Sequence, residues 1–287
     1  MIDIREPHAL AHRWAVALLA AAALAGFAAC GGGEDTAAPP EDGTAAPAGE
    51  TAAAPEPAGE PGNPAVEGMG DGTATVSGTV TYVGDVPALR PITMDADPQC
   101  ASKHSGEVPN QVLALGDGNT MGNVFVRVSS GLPEKQWEPP SQPAVIDQEG
   151  CIYQPHVMGV MAGQTLRFLN SDELLHNVHG LPEQNREFNQ AMPPTVTQSD
   201  VTGLEQPEPL FPVKCDVHPW MQSYVAVMSH PYFDVTAEDG RFTLSNLPAG
   251  TYEIEAWHER LGTRTATVTV EDGGTATTDF SFAPPQS

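Results

Sequence analysis

Beyond residue 72 the chain reads as a series of short runs in which apolar and polar positions alternate. The run 73–83 puts Val76, Val80 and Tyr82 on one face, and 123–128 interleaves Val124, Val126 and Val128 with Phe125 and Arg127. Runs 164–170 and 223–228 repeat the pattern, and 241–244, 251–257, 264–270 and 275–282 follow at short intervals. Asp239-Gly240, Ala249-Gly250 and Asp272-Gly273-Gly274 punctuate the later runs. A period of two broken by turn residues predicts an all-β chain built of antiparallel sandwiches. No 12-residue stretch in this region keeps the 3.6 period of a helix. The runs group into two units, a larger sandwich over 73–230 and a smaller one over 231–285.

The start of the chain differs. Residues 1–13 carry Arg5 and Arg13, and 14–29 hold no charge and end at Cys30. That apolar stretch is shorter than the ~20 residues a bilayer span needs. A basic start, a short apolar run and small residues before a cut predict an export signal over 1–29. Phe27-Ala28-Ala29-Cys30, followed by three glycines, resembles a bacterial lipoprotein box, with Phe27 where Leu is usual. The resemblance implies that Cys30 is lipidated and becomes the N-terminus. Two acyl chains would supply stable anchoring to a membrane of the bacterial envelope, with the folded part on its periplasmic or outer face. The other reading is ordinary cleavage after Ala25, where Ala23-Leu24-Ala25 is an A-x-A site.

Composition sharpens this outline. Gly and Pro number 28 each, which weighs against a helical bundle. The formal charge is −25. Residues 31–72 are almost entirely Ala, Pro, Gly, Thr and acids, with no Lys or Arg, a composition that predicts an extended acidic tether. The rest of the chain stays acidic. Such a surface argues against nucleic acid as a partner and suits a basic protein.

The chemistry concentrates in Cys215-Asp216-Val217-His218-Pro219-Trp220-Met221, which sits between a Pro-containing loop, 211–214, and the strand that follows. A thiol, an imidazole and a thioether fall within seven residues. Upstream, the run 164–170 leads into His176-Asn177-Val178-His179. Soft sulfur and nitrogen donors brought together from strand ends suit copper, and two His, one Cys and a long axial Met make a blue-copper site. The second histidine must come from outside the loop, and His176 is the best candidate. Zinc is the nearest competitor, and a Met donor argues against it.

Cys-x-x-His-x-x-Met preceded by His-Asn-Val-His resembles the cupredoxins, the Cys-x-x-His-Pro-aromatic-Met form amicyanin most. The resemblance covers roughly 73–230, with loops around 86–120 and 129–160 beyond the family's usual length. It implies a Greek-key sandwich and one type 1 copper ion held by His176, Cys215, His218 and, axially, Met221. Asn177 would tie the two ligand loops together, as ties around a site orient its ligands. The ring edge of His218 would lie near the surface. Pro219 and Trp220 then stand either as a small docking patch for a redox partner or, for Trp220, as core.

Cys100 and Cys151 remain. In an exported protein they read as a disulfide. A second reading groups them with His104, His156, Met158 and Met161 as another copper site. His179 reads as a surface or second-layer residue, Met192 as packing in a polar loop at 188–194, and His230 and His258 carry no assignment. The tail, with Glu238-Asp239-Gly240-Arg241-Phe242-Thr243-Leu244 and Leu247-Pro248-Ala249-Gly250-Thr251-Tyr252, resembles carboxypeptidase regulatory-like, transthyretin-like sandwiches. Ser77-Gly78-Thr79-Val80 resembles the first strand of such a module, which would make it discontinuous.

Together these features predict an envelope-anchored blue-copper electron carrier, not an enzyme. Its partners would be redox proteins such as a c-type cytochrome or a membrane oxidase component. The alternative is a carrier that delivers copper to an oxidase.

Overall fold

The computed structural model describes residues 63–284. Cys30, the export signal and tether residues 31–62 lie outside the described residues. Residues 63–72, expected as the end of the tether, are packed instead. Asn63 is buried and donates to Gln164 Oε1 (2.8 Å), and Val66 is buried beside Phe125 and Phe233. Asp71 accepts from Lys135 Nζ (2.7 Å) and Tyr232 OH (2.8 Å). Composition alone missed these few anchors because each partner is remote in sequence.

In chain order the strands are β1 (Ala74–Tyr82), β2 (Phe125–Ser130), β3 (Ala144–Glu149), β4 (Ile152–Gln154), β5 (Val157–Met161), β6 (Leu166–Asn170), β7 (His176–Gly180), β8 (Phe188–Met192) and β9 (Gln198–Val201). They continue as β10 (Glu208–Lys214), β11 (Gln222–Met228), β12 (Phe233–Val235), β13 (Arg241–Leu247), β14 (Gly250–His258), β15 (Gly262–Val270), β16 (Thr275–Thr277) and β17 (Phe280–Phe282). The described residues are all-β apart from short helical turns, of which α1 (Pro98–Ala101) matters for the site.

Two sandwiches result. In the first, a sheet ordered β5-β11-β10-β7-β8 and a sheet ordered β4-β3-β6-β9 share one core, which includes Ile146, Tyr153, Phe168, Val178 and Val225. In the second, β12-β2-β14-β15 and β13-β1-β16, with β17 also on β1, enclose Val76, Val126, Phe242, Leu244, Tyr252 and Ile254. Alternation builds these cores directly: along β14, Tyr252, Ile254, Ala256 and His258 face in and the residues between them face out or lie half-buried.

The second sandwich is discontinuous. β1 pairs antiparallel with β13, Val76 opposite Leu244, and parallel with β16 and β17. β2 lies between β12 and β14. β1 contains the 77–80 run whose resemblance to a first strand implied such a discontinuity, whereas β2 comes from the region read only as the first unit, so the division near residue 230 runs through the second sandwich. Local alternation cannot reveal this, because the same pattern serves either sheet. Phe125 and Phe233 stack at 5.7 Å and pack with Met161, Ala226 and Met228, joining the two sandwiches. Gly159 permits this approach, since a Cβ there would strike both rings.

Two segments read as loops are strands. β10 carries Pro209 and Pro212, yet pairs with β11 on one side and meets β7 only at Val213 and Lys214 on the other. The ladder shifts between Glu208 and Phe211, which absorbs the missing amides. β8, in the polar stretch expected as a loop, runs along β7 with Met192 opposite His176.

Candidate metal centre

Three elements converge at one end of the first sandwich. β7 begins with His176, directly after the turn from β6. Cys215 follows β10, and the chain then folds back through His218 to Met221 before entering β11. Met221 N–H donates to His218 O (2.9 Å) and Cys215 N–H donates to Met221 O (3.2 Å). This closed loop turns the Cys and His side chains inward. His176, Cys215, His218 and Met221 are all buried.

The donor atoms meet. His176 Nδ1 and His218 Nδ1 lie 2.9 Å apart, and Cys215 Sγ lies 3.8 Å from His218 Nδ1. The candidate ligand atoms of all three residues fall within 4.8 Å of one another. Metal–N bonds of about 2.0–2.1 Å and metal–S bonds of about 2.3 Å put ligand atoms roughly 3–4 Å apart, so the spacing fits one first-row ion. Met221 shares a buried cluster with Cys215.

The far side of each ring is held by a carboxylate. His176 Nε2 donates to Asp172 Oδ2 (2.9 Å), and His218 Nε2 donates to Asp97 Oδ2 (3.2 Å). An ionised carboxylate only accepts, so it keeps the ring proton on Nε2 and leaves the Nδ1 lone pair of each neutral ring facing the other. Two lone pairs at 2.9 Å repel unless a proton or a metal ion sits between them. Burial lowers the His176 pKa, but hydrogen bonds with Asp172 and Cys215 outweigh it, and the net shift is upward. Burial likewise raises the Cys215 thiol, and hydrogen bonds with His176 and with the amides of Asn177, His218 and Val217 more than reverse that. Its pKa falls below the ordinary thiol value, which favours the thiolate a metal needs. The residues present therefore fit a soft N/S-bound ion such as copper.

Asn177 links the two ligand segments. Its amide N–H points at Cys215 Sγ (3.5 Å), its side-chain oxygen accepts from Asp216 N–H, and its Nδ2 donates to Asn189 Oδ1 (2.7 Å). His179 lies outward, paired with Asp216 and Glu187. Tyr153 OH donates to Asn177 O (2.6 Å) and braces β7 from below.

The expectation of a surface ring edge for His218 is corrected. His218 is 2 % exposed, and Asp97 and Cys100 cover its outer nitrogen, with Cys100 Sγ at 3.6 Å. Nothing in the 215–221 motif could signal a cover that comes from α1, over a hundred residues upstream. Trp220 is half-buried, packs 5.1 Å from the His218 ring and donates to Cys151 O (3.0 Å). Pro219 is exposed, as are Val217 and Leu175, each beside a histidine of the cluster.

Cys100 and Cys151 are joined at 2.05 Å. The residues of the second-copper reading do not converge. His104 bonds Gly150 O, His156 pairs with Glu259 (2.6 Å), and Met158 and Met161 bury in different clusters. The functional residues that sequence reasoning missed are Asp97 and Asp172. The only available signal was Asp172 at four residues before His176.

Residues 225–283 match the family model of the carboxypeptidase regulatory-like domain. No curated protein matches the chain. Among solved structures, the chain is similar to a purple cupredoxin from Nitrosopumilus maritimus, at 22% identity over 30% of this chain and 99% of that one, with a TM-score of 0.25. It is also similar to a methionine-to-alanine mutant of amicyanin with Cu(I), at 21% identity over 36% of this chain and 98% of that one, TM-score 0.27. A copper-containing nitrite reductase from Thermus scotoductus SA-01 is 16% identical over 52% of this chain, TM-score 0.28, and the match spans only 28% of the reductase. TM-scores this low do not identify a fold, and the reading of the site stands on its donor atoms.

Proposed function

We propose that the chain is a blue-copper electron carrier rather than an enzyme. The observation that carries this reading is the meeting of two imidazole Nδ1 atoms and one low-pKa thiol in a buried, pre-formed cluster. Copper held there would supply one-electron exchange between its cuprous and cupric forms. The protein's share is to hold His176, Cys215, His218 and Met221 in one arrangement for both. The hydrogen bonds through Asn177 and the two carboxylates resist rearrangement of those side chains. Burial of every candidate ligand favours this reading over a catalytic metal, which keeps a position open to substrate.

A partner would approach the exposed apolar residues Leu175, Val217 and Pro219 beside the histidines, with half-buried Trp220 behind them. A patch this small suits a weak redox encounter. The acidic chain would steer a basic partner such as a c-type cytochrome or an oxidase component. Lipidated Cys30 would anchor the protein in the bacterial envelope.

The test is an optical and EPR spectrum of the full-length protein with one equivalent of Cu(II), followed by a redox titration. An intense thiolate-to-copper band, a narrow copper hyperfine splitting and a reversible couple are expected, all absent from Cys215→Ser. A colourless protein that binds Cu(I) and yields it to a chelator would refute the carrier of electrons and favour a carrier of copper.

A further inference from the structure

The outer nitrogens of both histidines are tied to the same covalent bond. On one side, Asp97 caps α1: its Oδ1 accepts from Gln99 N–H (2.9 Å) and from Cys100 N–H (3.4 Å), while its Oδ2 accepts from His218 Nε2. On the other side, Asp172 accepts from Gly150 N–H and Cys151 N–H (2.7 Å each), while its Oδ2 also accepts from His176 Nε2. Each cysteine therefore carries, on its own backbone amide, the carboxylate that orients one imidazole. The Cys100–Cys151 disulfide closes the circuit, with Cα atoms 5.6 Å apart.

Besides the disulfide, the segment bearing Asp97 is held to this end of the sandwich by His104, which bonds Gly150 O (2.7 Å), and by Lys103. Between residues 83 and 108 only Met94, Cys100 and Val108 are buried, and the chain forms one isolated bridge, Ile92 to Val108. Lys103 adds a bond to Asp172, which is again the same hub (3.1 Å). Segments with few buried contacts open readily. The disulfide is the one covalent link between the segment bearing Asp97 and the loop bearing Cys151.

We infer that the Cys100–Cys151 disulfide and Asp97 form a positioning device for the metal centre: the covalent bond fixes the distance between two carboxylates, and the carboxylates fix the orientation and donor strength of the two histidines. The inference rests on the copper reading above. A carboxylate on Nε2 makes an imidazole a stronger donor and adds negative charge near the ion, which favours the cupric form. It also holds the ring against rotation.

The test compares full-length wild type, Asp97→Asn and the double variant Cys100→Ala/Cys151→Ala, each loaded with one equivalent of copper. Three quantities are read: the reduction potential, the EPR hyperfine splitting, and the rate at which the reduced protein loses Cu(I) to a chelator. Both variants should show a higher potential, an altered hyperfine splitting and copper loss faster by about 10–100-fold. Asp97→Asn leaves the disulfide intact, so it reports on the site even if the double variant fails to fold. A lower melting temperature with an unchanged spectrum, potential and release rate would reduce the disulfide to a structural staple and overturn the inference. If wild type itself lacks a thiolate-to-copper band, the copper reading fails first, and the two failures are distinguishable.

Discussion

Asp172→Asn is the most searching substitution for the architecture of the centre. The Asp172 side chain is 1 % exposed and accepts four hydrogen bonds, from Gly150 N–H and Lys103 Nζ on Oδ1 and from Cys151 N–H and His176 Nε2 on Oδ2. An amide is nearly the same shape but keeps one acceptor. In either orientation its NH2 meets two donors. Hydrogen bonds to a charged group contribute about 1.5–3 kcal/mol each, and breaking one partner out of a buried ion pair costs about 3–5 kcal/mol. Relief of the buried charge offsets part of the loss, so the expected destabilisation of the metal-free protein is about 3–5 kcal/mol. At an m-value of about 2–3 kcal/mol/M, the urea midpoint should fall by roughly 1.5 M.

The pH dependence has a definite sign. Burial raises the Asp172 pKa, and bonds from His176, Cys151, Lys103 and Gly150 bring it below the ordinary value. A carboxyl group depressed in the folded state stabilises above its unfolded pKa, about 3.9, and loses that contribution as pH falls through the folded value. The raised His176 pKa acts oppositely. Its share is full below about pH 6.5 and fades as pH rises through the folded value. The gap between wild type and variant should therefore be widest near about pH 5–6. Asp200→Asn is the control, because its pair with Arg167 is exposed and contributes about 1 kcal/mol or less. A midpoint shift for Asp172→Asn no larger than the control's would refute the hub.

Two further outcomes follow from the same geometry. Met221→Leu should keep the thiolate-to-copper band and raise the reduction potential, because a weak donor to the cupric ion is lost; an unchanged potential would mean that Met221 is not axial. His230 is pushed down to about 4 by burial, so between about pH 4 and 6.5 the unfolded chain binds a proton that the native protein does not. Stability should rise with pH across that window by up to about 3 kcal/mol and level off above it. His230→Gln should flatten the slope in urea titrations of the metal-free protein, and an equal slope in both proteins would contradict the assignment.

Much was legible along the chain because the signals are local. Alternation marks strands such as β1, β14 and β15, since a strand buried on one face needs apolar residues at every second position whatever it pairs with. The spacing of Cys215 and His218 is legible for a similar reason: a short loop closed by its own backbone bonds brings both side chains to one point. What the sequence could not decide is which remote elements meet. β2 carries no mark assigning it to the second sandwich, where β1 had only the resemblance of 77–80 to a first strand, and the polar residues of β8 and the prolines of β10 mask strands whose Met192, Phe211 and Val213 are buried. Asp97 and Asp172 look like ordinary surface acids until the Cys100–Cys151 bond brings α1 over His218. By itself the sequence determined the donor types and the β architecture, through chemistry that short segments carry. Only the tertiary structure decided that both imidazoles are capped and sealed from water, because that depends on contacts between groups up to 121 residues apart.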